Sequence, residues 1–340
     1  MEQENNHYLI FRFSAIGDVA MTAPIIKAYA QENKSSRFTV VSQPFLKPLF
    51  EGVDNVDFFA ADIKKEYKGF TGLFKLFLDL KKIKPTHILD FHKVLRSIFL
   101  SLLFAICFKP VIFIKKGKRD KWKLVRRFNK ELKPVVPMIR RYELTILKAG
   151  FKDLKIYESK PKRTTNESSD VVLIGVAPFA KHKGKTWPID SMEQVIAQLS
   201  DNPKYKIYLF GGGKHEVSVL SNWEQKYSGV HSVAGQLKLK EELELISRLN
   251  LMVTMDSANM HFASGVGTPV ISIWGATHHY AGFYGWGQDE KNIISDDISC
   301  RPCSVFGNKK CYRGDYACLN NIRPFMVVNR IDKFIQEEVQ

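Results

Sequence analysis

Residues 8–31 read YLIFRFSAIGDVAMTAPIIKAYAQ, a short apolar run followed by a glycine-containing loop and a segment with helical spacing. The run at 9–13 is predicted to be a buried strand and the segment at 19–31 a helix. The same order recurs in the first half of the chain, with apolar runs at 38–42, 87–91 and 111–114 and a helical segment at 70–83. Continuous apolar strands that alternate with helices are typical of a parallel sheet covered on both faces. The first half is therefore predicted to be a doubly wound α/β domain.

The second half repeats this pattern after a polar, Ser- and Thr-rich stretch at 157–170, which is typical of a domain linker. Its predicted strands lie at 171–176, 207–210, 251–255 and 269–274. Its predicted helices lie at 189–199, 239–248, 257–265 and 325–339. We therefore expect a basic N-terminal Rossmann-like domain at 1–165, a second Rossmann-like domain at 166–325, and a C-terminal helix at 326–340 that could pack back on the first domain. Doubly wound domains bind ligands at the carboxyl ends of their strands, so a central cleft between the two domains is expected.

The formal charge of +16 is concentrated in the first half of the chain, where residues 1–165 contain 33 Lys and Arg against 16 Asp and Glu. Residues 166–340 contain 18 against 19, so this half is close to neutral. The densest basic segment is 115–141, in which Trp122 and Phe128 are interleaved with the charges. A solvated face is the usual explanation of such a run. The aromatic side chains favour instead a surface for an anionic partner, such as a phosphorylated lipid, an acidic membrane or a nucleic acid.

The longest apolar run is 97–108, bracketed by Arg96 and Lys109. Twelve helical residues cover about 18 Å, whereas a bilayer core requires about 30 Å. We therefore expect a buried helix of an α/β domain, with a membrane-touching surface as the less favoured alternative. The N-terminus has neither the basic start nor the apolar stretch of a secretory signal, so we expect a protein that is not integral to a membrane.

Five cysteines occur in the chain, and Cys107 within the apolar run is predicted to be a core residue. The other four are close in sequence: Cys300, Cys303, Cys311 and Cys318. Without an export signal we expect reduced thiols or metal ligands rather than disulfides. Because their spacing is not a standard zinc pattern, packed thiols are favoured and a structural metal site, such as zinc, is the alternative.

The loop Ser14-Ala15-Ile16-Gly17-Asp18 follows the first predicted strand directly. Gly17 allows a tight turn, and Asp18 falls near the start of the next helix. A carboxylate there can cap the helix, or it can act as a general base on an attacking hydroxyl group. Neither this loop nor any other stretch matches Gly-x-Gly-x-x-Gly, which argues against a nicotinamide-dependent dehydrogenase.

Two loops of the second half are candidates for phosphate and sugar contacts. The loop at 177–188 contains Lys181, Lys183 and Lys185 around Gly184, and it is predicted to be either an anion site or a solvated basic loop. The glycine turn at 210–213 is followed by Glu216, which could bind sugar hydroxyls or simply stabilise the first turn of a helix.

The most distinctive segment is 255–261, which reads Met-Asp-Ser-Ala-Asn-Met-His. Asp256 follows a strand, and Ser257 lies where a helix N-cap would leave backbone amides available to a ligand. Alternatively, Asp256 is only a cap and His261 is only a core histidine. All of these loops follow strands of parallel sheets, so their side chains are expected to converge at the carboxyl edges.

These segments together resemble glycosyltransferase family 9, the ADP-heptose:lipopolysaccharide heptosyltransferases. The matching segments follow the family order and lie at 11–18, 89–97, 185–188, 210–216 and 256–269. The resemblance implies a GT-B fold of two Rossmann-like domains. It also implies an inverting transfer of heptose from ADP-heptose to a hydroxyl group of a lipid A-linked lipopolysaccharide core acceptor, with no essential divalent metal.

By position, the resemblance implies that Asp18 is the general base. It implies that a further set of residues binds the donor, namely Lys185, Glu216, Asp256, Ser257, Ala258 and His261, with Lys181 and Lys183 in the phosphate loop. The implied acceptor is an acidic lipid, which would account for the basic first half. The expected acceptor-binding residues are Arg96, Lys118, Arg119 and Lys121.

The enzyme is accordingly expected to be cytoplasmic and peripheral to the inner membrane. Two alternatives stay open at this point. One is a GT-B glycosyltransferase that uses another nucleotide sugar for a surface polysaccharide. The other is a non-catalytic protein that binds nucleic acid or anionic lipid, although the sequence has no recognisable nucleic-acid-binding motif.

Overall fold

The computed structural model describes residues 5–163 and 171–339. The chain divides into two compact units. The first contains the chain up to Lys116 together with Met138–Ser159, and the second contains Gly117–Pro137 together with the chain from Lys160 onward. The predicted domain border at 165 and half of the predicted linker lie outside the described residues.

The first unit is a five-stranded parallel sheet with helices on both faces. Numbered in chain order along the whole protein, its elements are β1 (His7–Phe11), α1 (Ile16–Glu32), β2 (Arg37–Ser42), β3 (Val56–Ala60), α2 (Gly69–Lys82), β4 (His87–Asp90), α3 (Leu95–Ile106), β5 (Val111–Phe113) and α5 (Met138–Leu147). The strand order is β3-β2-β1-β4-β5, so the opening strand is central.

Side-chain alternation along β1 supplies both faces of this sheet. Leu9 and Phe11 pack in one core with α2 and α3, whereas the Tyr8 ring lies 4.8 Å from that of Phe151 on the opposite face. Helix α2 buries a stripe with helical spacing on the sheet: Leu73, Leu76, Phe77 and Leu80. The doubly wound architecture that the sequence predicts is confirmed.

The second unit contains a six-stranded parallel sheet. Its elements are α4 (Lys118–Val125), β6 (Val172–Ala177), α6 (Ile189–Ser200), β7 (Tyr205–Leu209), α7 (Lys214–Lys226), β8 (Val230–Ser232), α8 (Leu239–Arg248), β9 (Leu251–Met255), α9 (Ala258–Gly265), β10 (Val270–Trp274), β11 (Ile293–Ser295), α10 (Ala317–Asn320) and α11 (Pro324–Val339). The strand order is β11-β10-β9-β6-β7-β8. The carboxyl ends of β6, β9 and β10 are adjacent in this sheet, which positions the loops that follow them.

The C-terminal helix packs within the second unit, and its return to the first domain stays a prediction. Helix α11 packs on α6, and Val327, Ile331 and Phe334 are buried in the core of the second unit. The backbone from Lys160 also belongs there, because a Cβ atom on Gly267 would lie 2.6 Å from the carbonyl oxygen of Lys162.

The basic segment 117–137 belongs to the second unit, whereas the sequence placed it in the first domain. Within the second unit, the Val135 amide donates to the Tyr280 carbonyl at 3.0 Å, and Lys130 Nζ donates to the Cys300 carbonyl at 2.8 Å. These partners lie more than a hundred residues away in sequence, so local composition could not reveal them.

The predicted apolar helix exists as α3, but only one of its faces is buried. Ser97, Leu100, Ser101 and Phe104 face the core, whereas Leu95, Leu102 and Ile106 are exposed. Among the described residues, no helix is long and apolar enough to cross a membrane.

Candidate active-site residues of the two units

Asp18 is the third residue of α1 and does not serve as its N-cap, which is Ala15. Its carboxylate is held from two sides. Arg12 Nη2 lies 2.6 Å from Asp18 Oδ2, and the Tyr142 hydroxyl donates to Oδ1 at 3.5 Å. Arg12 is itself buried and donates through Nη1 to the Phe91 carbonyl at 2.8 Å. Asp18 is therefore a positioned carboxylate rather than a helix cap.

Burial raises the pKa of Tyr142, so its hydroxyl keeps its proton at neutral pH and remains a donor. The exposed fraction of the Asp18 side chain is 18%, compared with 5% for that of Arg12. The carboxylate is thus fixed in orientation by its neighbours and remains reachable by another molecule.

A buried histidine lies beside this turn and was not assigned a role from the sequence. His92 follows β4, which pairs directly with β1, and its Nε2 lies 3.4 Å from Ser14 Oγ. Burial, reinforced by the charge of Arg12, lowers the pKa of His92 to about 3, so the ring is neutral at physiological pH. The signal that could have identified it is its position directly after the strand that ends at Asp90.

Asp90 organises this strand end. Its Oδ1 accepts the backbone N–H groups of His92 at 2.9 Å and Lys93 at 2.7 Å. Burial raises the pKa of this carboxyl group, and the two amide donors oppose that effect. Asp90 therefore fixes the loop that presents His92.

In the second unit the structure brings together two residues that the sequence singled out separately. Lys185 Nζ lies 2.8 Å from Asp256 Oδ2, and Thr277 Oγ1 donates to the same oxygen at 2.8 Å. The three residues follow β6, β9 and β10, whose carboxyl ends are adjacent. The predicted convergence of the loops is therefore observed within this unit.

Close backbone packing fixes the position of Lys185. A Cβ atom on Gly307 would lie 2.3 Å from Lys185 Cγ, and Gly307 has φ of +71°. The preceding carbonyl, that of Gly184, accepts the Ala276 amide at 2.8 Å. Lys185 is thus held by its surroundings, unlike the exposed Lys181 and Lys183 of the same loop.

Glu216 and Ser257 each make a local contact in the second unit, and for Glu216 such a local role was the alternative that the sequence left open. Glu216 Oε2 accepts the Gly212 amide at 2.7 Å and closes the glycine turn. Ser257 is the N-cap of α9, but its hydroxyl lies 3.0 Å from Thr254 Oγ1 and does not cap the helix. The Ser257 side chain therefore leaves the first amides of α9, from Ala258 onward, uncapped. His261 is buried in the same helix.

The loop after β10 contains polar residues that sequence reasoning missed. Arg301 is buried beneath it, and its Nε donates to the carbonyls of Gly275 at 2.8 Å and Thr277 at 3.1 Å. Burial is the main cause that lowers the pKa of His278 to about 3 and that of His279 to about 4. The signal that could have identified the two histidines is the run Thr277-His278-His279, which begins three residues after the end of β10.

The family model described as glycosyltransferase family 9 (heptosyltransferase) matches residues 75–312, which include Lys185 and Asp256. The chain belongs to this family. It is 23% identical over 281 residues to the lipopolysaccharide core heptosyltransferase OpsX of Haemophilus influenzae, a match that covers 78% of each chain. The protein is therefore a family 9 glycosyltransferase.

Two solved structures are similar over almost the whole glycosyltransferase. A family 9 glycosyltransferase from Veillonella parvula aligns with a TM-score of 0.76 at 17% identity, covering 99% of each chain. The E. coli ADP-heptose lipopolysaccharide heptosyltransferase II aligns with a TM-score of 0.66 at 18% identity, covering 98% of this chain and 100% of that one. These likenesses confirm the GT-B class of the fold.

The four acceptor-binding candidates of this glycosyltransferase do not all lie in one unit. Arg96 is exposed in the first turn of α3, whereas Lys118 and Arg119 are exposed on α4 in the second unit. Lys121 is buried, and its ammonium group lies 4.0 Å from the ring centroid of Phe283. Lys121 thus has a packing role within the second unit.

The four clustered cysteines of the glycosyltransferase line one small cavity of about 10 Å³, namely Cys300, Cys303, Cys311 and Cys318. All five cysteines are free. Burial raises the pKa of Cys318 to about 12 and also raises that of Cys303. In residues 5–163 and 171–339, no group of three or more His, Cys, Asp or Glu side chains could hold a metal ion. A structural zinc site at these four cysteines stays the alternative to packed thiols.

Proposed function

We propose that this family 9 enzyme transfers heptose from ADP-heptose to a hydroxyl group of a lipid A-linked lipopolysaccharide core acceptor, with inversion at the anomeric carbon. The single observation that carries the proposal is the set formed by Lys185, Asp256 and Thr277 at the carboxyl ends of adjacent strands. Two of the proteins named above support the substrate class, since the Haemophilus influenzae and E. coli proteins are heptosyltransferases of lipopolysaccharide.

In this proposal Lys185 binds the diphosphate of the donor. An ammonium group has three N–H donors, and the contact with Asp256 occupies only one of them. The other two can donate to phosphate oxygens, and the uncapped amides at the start of α9 add further donors. Asp256, anchored by Thr277, is then available to the sugar hydroxyls through its second oxygen.

The proposed reaction is a single displacement at the anomeric carbon. Asp18 accepts the proton of the acceptor hydroxyl as that oxygen attacks, and the nucleoside diphosphate leaves from the opposite face. The transition state has oxocarbenium character, as in glycoside hydrolysis. Lys185 and the α9 amides stabilise the charge that develops on the leaving diphosphate. None of these steps uses a metal ion.

The donor assignment is tested by comparing nucleotide sugars with the purified enzyme. A true donor stabilises the folded state through binding, so ADP-heptose should raise the melting temperature more than UDP-sugars do. Release of ADP should then depend on a heptose-deficient lipopolysaccharide acceptor. A larger shift with a UDP-sugar, together with transfer of that sugar, would assign the enzyme to another surface polysaccharide.

The place of action is part of the same proposal. A lipid A-linked acceptor would be presented at the cytoplasmic face of the inner membrane, and we propose that the enzyme works there as a peripheral protein. The exposed Arg96, Lys118 and Arg119 are candidates for contacts with the phosphates of that acceptor.

A further inference from the structure

The outer faces of helices α2 and α3 in the first unit carry large apolar side chains that the fold does not cover. We call the following set the α2–α3 face: Phe70, Phe74, Leu78, Leu95, Leu102, Ile106 and Phe108. The three residues on α2 recur every four positions and therefore form one stripe. The edge-to-face contact between the rings of Phe70 and Phe99, at 5.8 Å, joins that stripe to α3.

The exposure of this face is unusual for side chains of this type. Phe108 retains 95% of its accessible surface, Leu95 87%, Phe70 77% and Ile106 72%. Single exposed apolar residues are common on protein surfaces, but seven of them on and directly after two packed helices mark a surface that contacts something else.

The conformation of Phe108 is a second, independent observation. Helix α3 ends in a Schellman motif, in which the Phe108 amide donates to the Ala105 carbonyl at 2.9 Å and the Lys109 amide to the Phe104 carbonyl at 3.0 Å. Phe108 therefore has φ of +59°, a left-handed conformation that favours glycine and that bulky residues rarely adopt. Neither the backbone nor the core accounts for a phenylalanine here, which points to a function at the surface.

Charge identifies the kind of partner. Residues 64–109 contain ten Lys and Arg against three Asp and Glu, and one of the three acids is the buried Asp90. The exposed lysines next to the apolar stripe include Lys64, Lys65, Lys68, Lys75, Lys81, Lys82 and Lys84. Pairing two copies of this face would bring like charges together, whereas an anionic bilayer attracts the lysines and accepts the apolar side chains.

We propose that the α2–α3 face docks the enzyme on an anionic lipid bilayer, with Phe108 and its apolar neighbours at the boundary of headgroups and acyl chains. The lysines lie at the level of the lipid phosphates. The proposal deepens the peripheral membrane location given under the proposed function and rests on it, because it names the surface that contacts the bilayer. None of the seven apolar residues belongs to the proposed active site.

The test uses the full-length protein and vesicles that contain no saccharide acceptor, so its result does not depend on heptosyl transfer. The wild type should co-sediment with vesicles of phosphatidylcholine and phosphatidylglycerol, and much less with phosphatidylcholine alone. Phe108→Gly should bind the anionic vesicles several-fold more weakly. The triple variant Phe70→Ser, Ile106→Ser, Phe108→Gly should lose about tenfold or more.

Phe108→Gly also separates loss of binding from loss of structure. Glycine suits the left-handed position, so this variant should melt at the same temperature as the wild type or higher. Phe325→Ser, at an exposed position of α11, is the matched control and should bind vesicles like the wild type. Lys81→Glu with Lys82→Glu should remove the preference for anionic lipid.

Three outcomes would overturn the proposal. One is wild-type vesicle binding by the triple variant. Another is loss of binding in Trp122→Ala with Arg127→Ala but not in Phe108→Gly, which would assign docking to the basic segment 117–137. The third is a wild-type dimer in sedimentation velocity that Phe108→Gly converts to a monomer with vesicle binding unchanged, which would make the face a contact between copies of the chain.

Discussion

The turn after β1 and the turn after β6 occupy equivalent places in their two sheets, yet they hold side chains of opposite charge. In the first unit the less buried group is the carboxylate of Asp18, and a buried arginine, Arg12, fixes it. In the second unit the less buried group is the ammonium of Lys185, and a buried carboxylate, Asp256, fixes it. Each unit thus presents one charged group and buries its partner.

This difference shows how one topology supports two kinds of chemistry. The carboxyl edge of a parallel sheet supplies rigid positions for side chains, and the loop residues decide the sign of the charge presented there. A carboxylate suits the removal of a proton from an alcohol, whereas an ammonium group suits a diphosphate. Substitutions in the two turns should therefore impair different steps.

The largest effect is expected from Asp18→Asn, which keeps the shape of the side chain and removes its basicity. We expect kcat to fall about 100- to 10,000-fold, the usual contribution of a general base. Steady-state kinetics with ADP-heptose and a lipopolysaccharide acceptor would measure this. Turnover close to that of the wild type would reject Asp18 as the base.

A somewhat smaller effect is expected from Lys185→Ala, through loss of diphosphate binding and of leaving-group stabilisation. We expect kcat/KM to fall about 100- to 1,000-fold. Lys183→Ala is the matched control, because Lys183 is an exposed lysine of the same loop. Equal losses in the two variants would show that the loop acts only through its total charge.

Removal of the hydroxyl group that anchors Asp256 should have a more modest effect. Thr277→Val removes one hydrogen bond to a buried carboxylate, so kcat/KM should fall roughly tenfold. Thr277→Ser keeps the hydroxyl and should retain most of the activity. If Ser and Val impair the enzyme alike, the packing of Thr277 matters more than its hydrogen bond.

The smallest effect concerns stability, and it also compares the two units. Burial keeps His92, His278 and His279 neutral, with pKa values of about 3, 3 and 4 in the folded protein. An unfolded histidine titrates near 6.5. Between these pH values the unfolded state binds more protons than the folded state. The free energy of unfolding therefore has its full value above about pH 6.5 and decreases as the pH falls toward 4.

Over that range, each of these histidines should contribute at most about 1.4 kcal/mol per pH unit to the slope of the free energy of unfolding against pH. Urea unfolding of the wild type, His92→Phe and His278→Phe between neutral and mildly acidic pH would measure it. His215→Gln, at an exposed position, is the control and should leave the slope unchanged. A slope equal to that of the wild type in His92→Phe would contradict a neutral, buried His92.

The sequence was sufficient for the central strands of both sheets because their apolar runs are continuous. Edge strands were harder to predict. β3 includes Asp57 and has no fully buried residue, and β8 has only three residues, so neither has the signature of a buried strand. The contact of Lys185 with Asp256 was foreseeable because both follow strands of one parallel sheet.

Other features depend on contacts that no local pattern encodes. The association of segment 117–137 with the second unit rests on partners near Tyr280 and Cys300. Likewise, the apolar character of α3 did not reveal that Ile106 faces away from the core, since hydrophobicity alone does not say what covers a helix face. His92 was missed because a lone histidine carries little information until its neighbours are known.

The central claim is that the second unit grips the donor while a carboxylate of the first performs the proton transfer. Calorimetric titration of ADP-heptose into Asp18→Asn and Lys185→Ala, beside their turnover, tests it most directly. The account predicts wild-type donor affinity with little turnover for Asp18→Asn, and lost affinity for Lys185→Ala. Donor affinity that falls with Asp18→Asn but survives in Lys185→Ala would contradict it.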